Sequence, residues 1–148
     1  MYYVNREQIE LRLNAVPAIA SALRQAAEDW DGGLLYGMVQ ERALHLGIET
    51  VTDVGSYLID GFIMRDASSY EDIIEINFNE GVFSREIYEV LMKLVGLRKP
   101  LVQDYYVWER SALHDLTPVL PAVLEQFAGA VHAYLDQELG AAAPVEQE

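Results

Sequence analysis

Residues 34–63 form the longest apolar-rich segment of the chain, and its periodicity predicts a long helix. Apolar residues recur there at alternating steps of four and three, the period of one helical face. These residues are Leu44, Ile48, Val51, Gly55, Leu58 and Phe62. A second, largely apolar set lies on a neighbouring face and comprises Leu35, Val39, Ala43, Leu46, Thr50 and Val54. Because a peripheral helix presents only one apolar face, we expect this helix at the centre of the fold or in a subunit interface.

Cap residues before and after this segment predict further helices. Asn5 has the side chain of an N-cap, so a first helix is expected over residues 6–28 with a kink at Pro17. Ser68 or Ser69 is placed to cap a short helix that ends at Gly81, and Ser84 is placed to cap the helix after it.

A last helix is predicted from one apolar stripe, and Pro118 and Pro121 are expected to bend it or delay its start. The stripe consists of Leu113, Leu116, Leu120, Leu124, Phe127, Val131 and Tyr134. No alternating strand pattern competes with these helical periods. The sequence therefore predicts an all-α fold, a single-domain antiparallel bundle of about five helices over residues 1–139, with residues 140–148 as a flexible tail.

Charge and composition restrict the function classes. The formal net charge is −14 and the chain has no cysteine, which excludes thiol catalysis and Cys-based zinc sites and is compatible with a cytoplasmic location. No window has the roughly 18 uncharged apolar residues of a membrane span, so we expect a soluble protein with no membrane partner. A strongly acidic surface disfavours general binding of nucleic acid, and any such activity must be local.

Basic residues are nevertheless clustered in the second half of the chain. Five of the ten Lys and Arg residues fall between positions 85 and 110, and a solvated helix face explains the cluster about as well as a binding site. These five are Arg85, Lys93, Arg98, Lys99 and Arg110.

The three histidines give little support for a metal site. His45, Glu49 and Asp53 follow one another at helical spacing and could assemble a site for a hard cation. Ordinary contacts between residues four apart are the favoured interpretation, and we predict neither a metal nor a cofactor. His114 and His132 fall in the last helical region, either without a role or assisting at a site.

The stretch "RKPLVQDYY" (residues 98–106) combines a cation, an amide and two phenols. If it is one helix, Arg98 and Tyr105 lie on nearly the same face, with Gln103 to the side. Pro100 complicates this arrangement, because it lacks a backbone donor and a new helix is expected to begin there. These groups near a helix start favour an anion such as phosphate. The alternative is that these side chains only pack against the rest of the fold and bind nothing.

Three segments carry a resemblance to a known family. "QERALHLGIETVTDVGSYLIDGF", "SYEDIIEI…EGVFSREIYEVLMKLVG" and "LRKPLVQDY" resemble the HepT-like family, over roughly residues 1–138. Members of that family are helical toxin partners of MntA nucleotidyltransferase antitoxins. The resemblance implies an all-α homodimer and a metal-independent endoribonuclease. The family motif is an Arg followed, after four to six residues, by a His that commonly continues as His-x-Tyr, and the antitoxin transfers AMP to this tyrosine.

Carried onto this chain, the resemblance makes Arg98 the motif arginine and Tyr105 the AMP-accepting tyrosine, but Gln103 stands at the histidine position. The resemblance also implies that Lys93, Arg98 and Lys99, together with Arg85, line a cleft shared by the two subunits that binds RNA. A glutamine has no proton to exchange near neutral pH, and loss of a general acid or base reduces rates by about 10²–10⁴-fold. Three interpretations remain open: an endoribonuclease toxin, a catalytically inactive dimer that binds RNA or a nucleotidyltransferase, and an acidic scaffold for a basic protein.

Overall fold

Residues 2–140 are described by the computed structural model, and they form six α-helices and two short helical turns, with no strand among them. The helices are α1 (Arg6–Leu13), α2 (Val16–Glu28), α3 (Leu34–Gly61), α4 (Tyr70–Asn79), α5 (Arg85–Val95) and α6 (Leu116–Leu139). Between α5 and α6 lie a π-turn (Lys99–Gln103) and a 3-10 turn (Tyr105–Val107). The predicted all-α, single-domain fold is confirmed. The predicted tail, residues 140–148, lies outside the described residues except for Gly140.

Three of the predicted helix caps are present. The side-chain oxygens of Asn5, Ser69 and Ser84 each accept a backbone N–H three residues later, at 3.2, 3.0 and 3.3 Å. Such a bond satisfies one of the backbone donors that every helix start leaves unpaired. Of the two serines considered for α4, Ser69 is therefore the cap.

Prolines divide the helices differently from the prediction. The segment expected as one kinked helix is two helices, because α1 ends at Leu13 and α2 begins at Val16, with Pro17 in its first turn. A proline is tolerated in a first turn, where its missing N–H has no helical partner to lose. For the same reason Pro118 lies in the first turn of α6, which begins at Leu116, while Pro121 lies inside that helix.

Helix α3 occupies the centre of the bundle and contacts α1, α2, α4, α5 and α6. Residues from both of its apolar faces are buried, including Ala43, Leu44, Ile48 and Val54. The neighbouring helices of the same chain therefore cover the first face fully and the second face only in part, because Leu35 is 72% exposed and Val39 and Leu46 are half-buried. Within residues 2–140, no helix combines the length and the hydrophobicity that crossing a membrane requires.

Candidate functional site

The backbone after α5 forms a π-turn around Pro100. The Asp104 N–H donates to the Lys99 carbonyl oxygen five residues earlier, at 2.9 Å, and Pro100 lies in the first turn, where no N–H is needed. The turn begins at Lys99, one residue before the predicted start, and ends at Gln103. Tyr105 then begins a separate 3-10 turn. The expectation that Arg98 and Tyr105 lie on nearly the same face of one continuous helix is therefore wrong. Turns of the π type are rare in proteins, and those that do occur often lie at functional sites.

Arg98 carries a charge that no carboxylate of the described residues neutralises. Its guanidinium carbon lies 4.2 Å from the centre of the Tyr70 ring, a cation–π contact. Its Nε atom is buried and has no hydrogen-bond partner within residues 2–140. By contrast, the cations Arg24, Arg65 and Arg110 all form ion pairs with carboxylates. A half-buried, unneutralised guanidinium in a chain of net charge −14 is a suitable group for an anion supplied from outside.

Tyr70 is the first residue of α4, and the local structure holds this helix start in place. Arg65 binds the Asp72 carboxylate with two hydrogen bonds of 2.7 and 2.8 Å, and the Ser68 N–H donates to the same carboxylate at 2.9 Å. These bonds, those from Arg65 first, hold the pKa of Asp72 well below its usual range. The Tyr70 ring that contacts Arg98 is therefore held in place by the hydrogen bonds of the turn that precedes it. Sequence reasoning did not single out Tyr70, which lies 28 positions before Arg98, although it falls within the segment "SYEDIIEI" that carries part of the resemblance.

The remaining predicted site residues differ in their surroundings. Gln103 is exposed, and Tyr105 is 59% exposed with its ring edge-on to that of Tyr106. Lys99 Nζ lies 2.6 Å from Asp104 Oδ2, so its charge is already paired. Lys93 is exposed on α5 and has no ion pair within the described part of the chain. Arg85 also has no ion pair among the described residues, and its guanidinium carbon lies 5.0 Å from the centre of the Phe78 ring. Arg98 differs from it in having a buried Nε without a hydrogen-bond partner.

A pocket of about 320 Å³ lies beside the π-turn. Its wall includes Trp108 and His114, whose rings stack with centroids 5.8 Å apart and planes 19° apart. The Leu116 N–H donates to His114 Nδ1 at 3.0 Å, which assigns the ring proton to Nε2. Nothing in the spacing of the sequence indicated this pocket, because an irregular segment forms it.

Gln40 of α3 holds the segment that forms this pocket. Its side chain is fully buried, and its Nε2 donates to the Ala112 carbonyl oxygen at 3.1 Å. Its Oε1 accepts from the His114 N–H at 2.8 Å and from the Thr117 hydroxyl at 2.6 Å. The central helix therefore fixes the pocket wall and the start of α6 through one amide.

The histidine considered for a metal site has other contacts. His45 Nε2 lies 3.5 Å from Glu49 Oε2, but Asp53 turns to Arg12, at 3.3 Å. Across residues 2–140, no cluster of three or more His, Asp or Glu side chains could hold a metal ion. His132 Nε2 lies 2.8 Å from Glu10 Oε2, so this histidine pairs with α1 and not with the π-turn.

Comparisons with known proteins agree with this architecture. A family model described as "Ribonuclease HepT-like" matches residues 13–128. A Bacillus subtilis (strain 168) protein named "Putative RNase YutE" is 36% identical over 140 residues, which cover 95% of this chain and 96% of the relative. A solved structure of YutE from Bacillus subtilis, described as a cytosolic protein of unknown function, is 34% identical. It superposes with a TM-score of 0.83 over 99% of both chains.

Proposed function

Because the chain belongs to the ribonuclease HepT-like family, we propose that it binds RNA through Arg98 and acts on it as a ribonuclease. The observation that carries the proposal is the unneutralised Arg98 guanidinium stacked on Tyr70. Stacking restrains the side chain before the ligand arrives, which lowers the entropy lost on binding. The planar guanidinium can then form two parallel hydrogen bonds to a phosphate.

Net charge and local charge act in opposite directions here. The overall charge of −14 repels a polyanion, so affinity must come from the few cations that carboxylates do not already occupy. Four cations meet this condition among the described residues, namely Arg42, Arg85, Lys93 and Arg98. Arg98 and Lys93 are the two in the predicted site, whereas Lys99 is paired with Asp104. We therefore expect few phosphate contacts and a shallow salt dependence, about 0.7 in the slope of log affinity against log salt concentration for each cation engaged. Lys93 is a secondary contact, and Lys99 contributes only when it leaves Asp104.

Cleavage of RNA requires more than phosphate binding. Attack by a ribose hydroxyl on phosphorus needs a group that accepts its proton and one that protonates the leaving oxygen. Arg98 would stabilise charge on the phosphate, and Gln103 can donate a hydrogen bond to a phosphate oxygen but cannot exchange a proton. His114 is no ready replacement as a base, because its Nδ1 lone pair accepts the Leu116 N–H. Cleavage is therefore expected to be about 10²–10⁴-fold slower than with a histidine in place.

A second candidate follows from the same observation. With Gln103 at the position of the proton carrier, the chain would be an RNA-binding member of its family that does not cleave. Cleavage of a labelled RNA by the purified protein, beside Arg98→Ala and Gln103→His, separates the two. Slow cleavage that Arg98→Ala abolishes supports the ribonuclease. Activity seen only in Gln103→His supports the non-cleaving binder, and no activity in any variant contradicts the ribonuclease proposal.

Regulation by AMP transfer is a further part of the proposal. Tyr105 is 59% exposed, and its hydroxyl makes no hydrogen bond to another described residue, so a nucleotidyltransferase partner could reach it. In such a reaction the phenol oxygen attacks the α-phosphorus of ATP, pyrophosphate leaves, and the phenolic proton passes to the partner's base. Incubation with an MntA-type nucleotidyltransferase and ATP should add one adenylate to the protein by mass spectrometry. The addition should disappear in Tyr105→Phe and persist in Tyr106→Phe.

A homodimer also remains a proposal, on different grounds from those in the sequence. The first apolar face of α3 is covered by its own chain, but the first five residues of that helix include the exposed side chains Leu34, Leu35 and Met38, at 67%, 72% and 47%. Burial of such side chains against a second copy is favourable at roughly 25 cal/mol per Å². Light scattering should give a dimer that Leu35→Glu dissociates, and a monomeric wild type at micromolar concentration would contradict this.

A further inference from the structure

We propose that the pocket beside the π-turn is a nucleobase subsite, and that its chemistry favours guanine. The inference rests on the proposed function, since it names the part of the RNA that lies next to the phosphate at Arg98. The pocket holds about 320 Å³, within the range of small-molecule sites. Its wall includes Pro100, Asp104, Trp108, Glu109, His114 and Asp115.

An aromatic surface for a base is already assembled. Trp108 and His114 stack with planes 19° apart, and both line the pocket. Proteins that bind single-stranded nucleic acid stack bases on aromatic side chains of this kind, in addition to contacting the phosphates, and every base can make such a contact. A base entering here would therefore add a third ring to an existing pair.

The polar groups around the stack accept hydrogen bonds more than they donate them. Asp104 is occupied by Lys99, and one oxygen of Glu109 accepts the Ser111 hydroxyl at 2.6 Å. The other oxygen of Glu109 and both oxygens of Asp115 have no partner among residues 2–140. These carboxylates can accept hydrogen bonds from the N–H groups on the pairing edge of an unpaired base.

Guanine fits this set best among the four bases. Its pairing edge presents N1–H and N2–H side by side, which one carboxylate can accept together, and O6 lies next to them. The His114 ring carries its proton on Nε2, and this N–H has no partner within the described residues, so it is available to O6. On this edge uracil offers one N–H, and adenine and cytosine each offer an amino group beside a ring acceptor, so neither presents the two adjacent donors of guanine.

The position of the pocket also agrees with the proposed phosphate site. Pro100 and Asp104 belong to the π-turn segment that follows Arg98, so pocket and guanidinium adjoin along the chain. The carboxylates of the pocket repel phosphate, whereas Arg98 attracts it. A nucleotide would therefore place its base in the pocket and its phosphate towards Arg98.

Tryptophan fluorescence tests the subsite directly. In a Trp30→Phe background the remaining indole is Trp108, so quenching by guanosine monophosphate, and by a short RNA containing a single guanine, reports base stacking. We expect this RNA to bind about 5- to 150-fold more tightly than the same RNA with adenine in its place. Glu109→Gln and Asp115→Asn should reduce that ratio without abolishing RNA binding, because they leave Arg98 untouched. Comparing the affinities of the two probes shows whether the pocket binds guanine as part of an RNA or as a free nucleotide.

The outcomes distinguish the subsite from the function on which it rests. RNA binding that depends on Arg98 but neither quenches Trp108 nor prefers guanine would overturn the subsite and leave the proposed function standing. Quenching by guanosine monophosphate without binding of RNA would support the pocket and overturn the proposed function. Trp108→Phe keeps an aromatic ring in the pocket wall and is the control for a folding defect. Its far-ultraviolet circular dichroism should match that of the wild type, while Trp108→Ala should lose most of the guanine preference.

Discussion

Replacement of Gln40 by methionine should destabilise the fold through two donors that lose their acceptor. Gln40→Met keeps the length of the side chain but removes the oxygen that accepts from the His114 N–H and the Thr117 hydroxyl. A buried donor without a partner costs about 1–3 kcal/mol. The Thr117 side chain is fully buried, His114 is half-buried, and the Ala112 carbonyl oxygen lies on an exposed residue that water can reach. The expected loss is therefore about 2–4 kcal/mol.

Urea unfolding followed by circular dichroism measures this loss as a lower midpoint at an unchanged slope. The matched control is the double variant Gln40→Met, Thr117→Val, which removes the orphaned hydroxyl as well. Because deleting both partners is much less costly than deleting one, the double variant should be more stable than Gln40→Met alone. If Gln40→Met unfolds at the wild-type midpoint, or if the double variant is less stable than the single one, the reasoning is refuted.

Three further predictions concern the site and its supports. Tyr70→Leu should weaken RNA binding by up to about fivefold in a titration, because without the cation–π contact of about 1 kcal/mol the Arg98 side chain is no longer restrained before the RNA binds, while Tyr70→Phe should retain the affinity. Asp72 has a pKa held low in the fold, so wild type should exceed Asp72→Asn in stability at neutral pH and lose that advantage as the pH falls below about 4. Gly55→Ala should cost about 1–3 kcal/mol, because a Cβ there would lie 2.6 Å from Ile73 Cγ2. Gly129→Ala, with nothing within 4 Å of its Cβ, should instead be neutral or stabilising.

Features that depend on neighbours in the sequence could be predicted from it. The caps at Asn5, Ser69 and Ser84 are present because a cap bond spans three residues and needs no tertiary contact. The long central helix was predicted nearly to its ends, since the period of buried residues along one helix is a local property. The sequence predicts a disturbance of the helix at Pro17. Whether this proline kinks one helix or begins a new one, as it does at Val16, depends on the tertiary position of that helix.

Features that depend on distant contacts could not be predicted. The motif pointed to Arg98, but the ring that restrains it belongs to Tyr70 on another helix. Gln40 has no distinguishing signal in the sequence, and it is fully buried because the segment around His114 brings it three partners. The pocket wall at Trp108 follows a π-turn and a 3-10 turn, which have no periodicity to detect. Site residues of this kind are defined by packing, and packing is fixed only in the folded chain.

The salt dependence of RNA binding by the wild type and by Arg98→Ala tests the central claim most directly. Removing one cation that binds a phosphate of single-stranded RNA reduces the slope of log affinity against log salt concentration by about 0.7. If Arg98 holds a phosphate, Arg98→Ala should bind more weakly at every salt concentration and show a slope shallower by about that amount. Equal affinities and equal slopes for the two proteins would contradict the account.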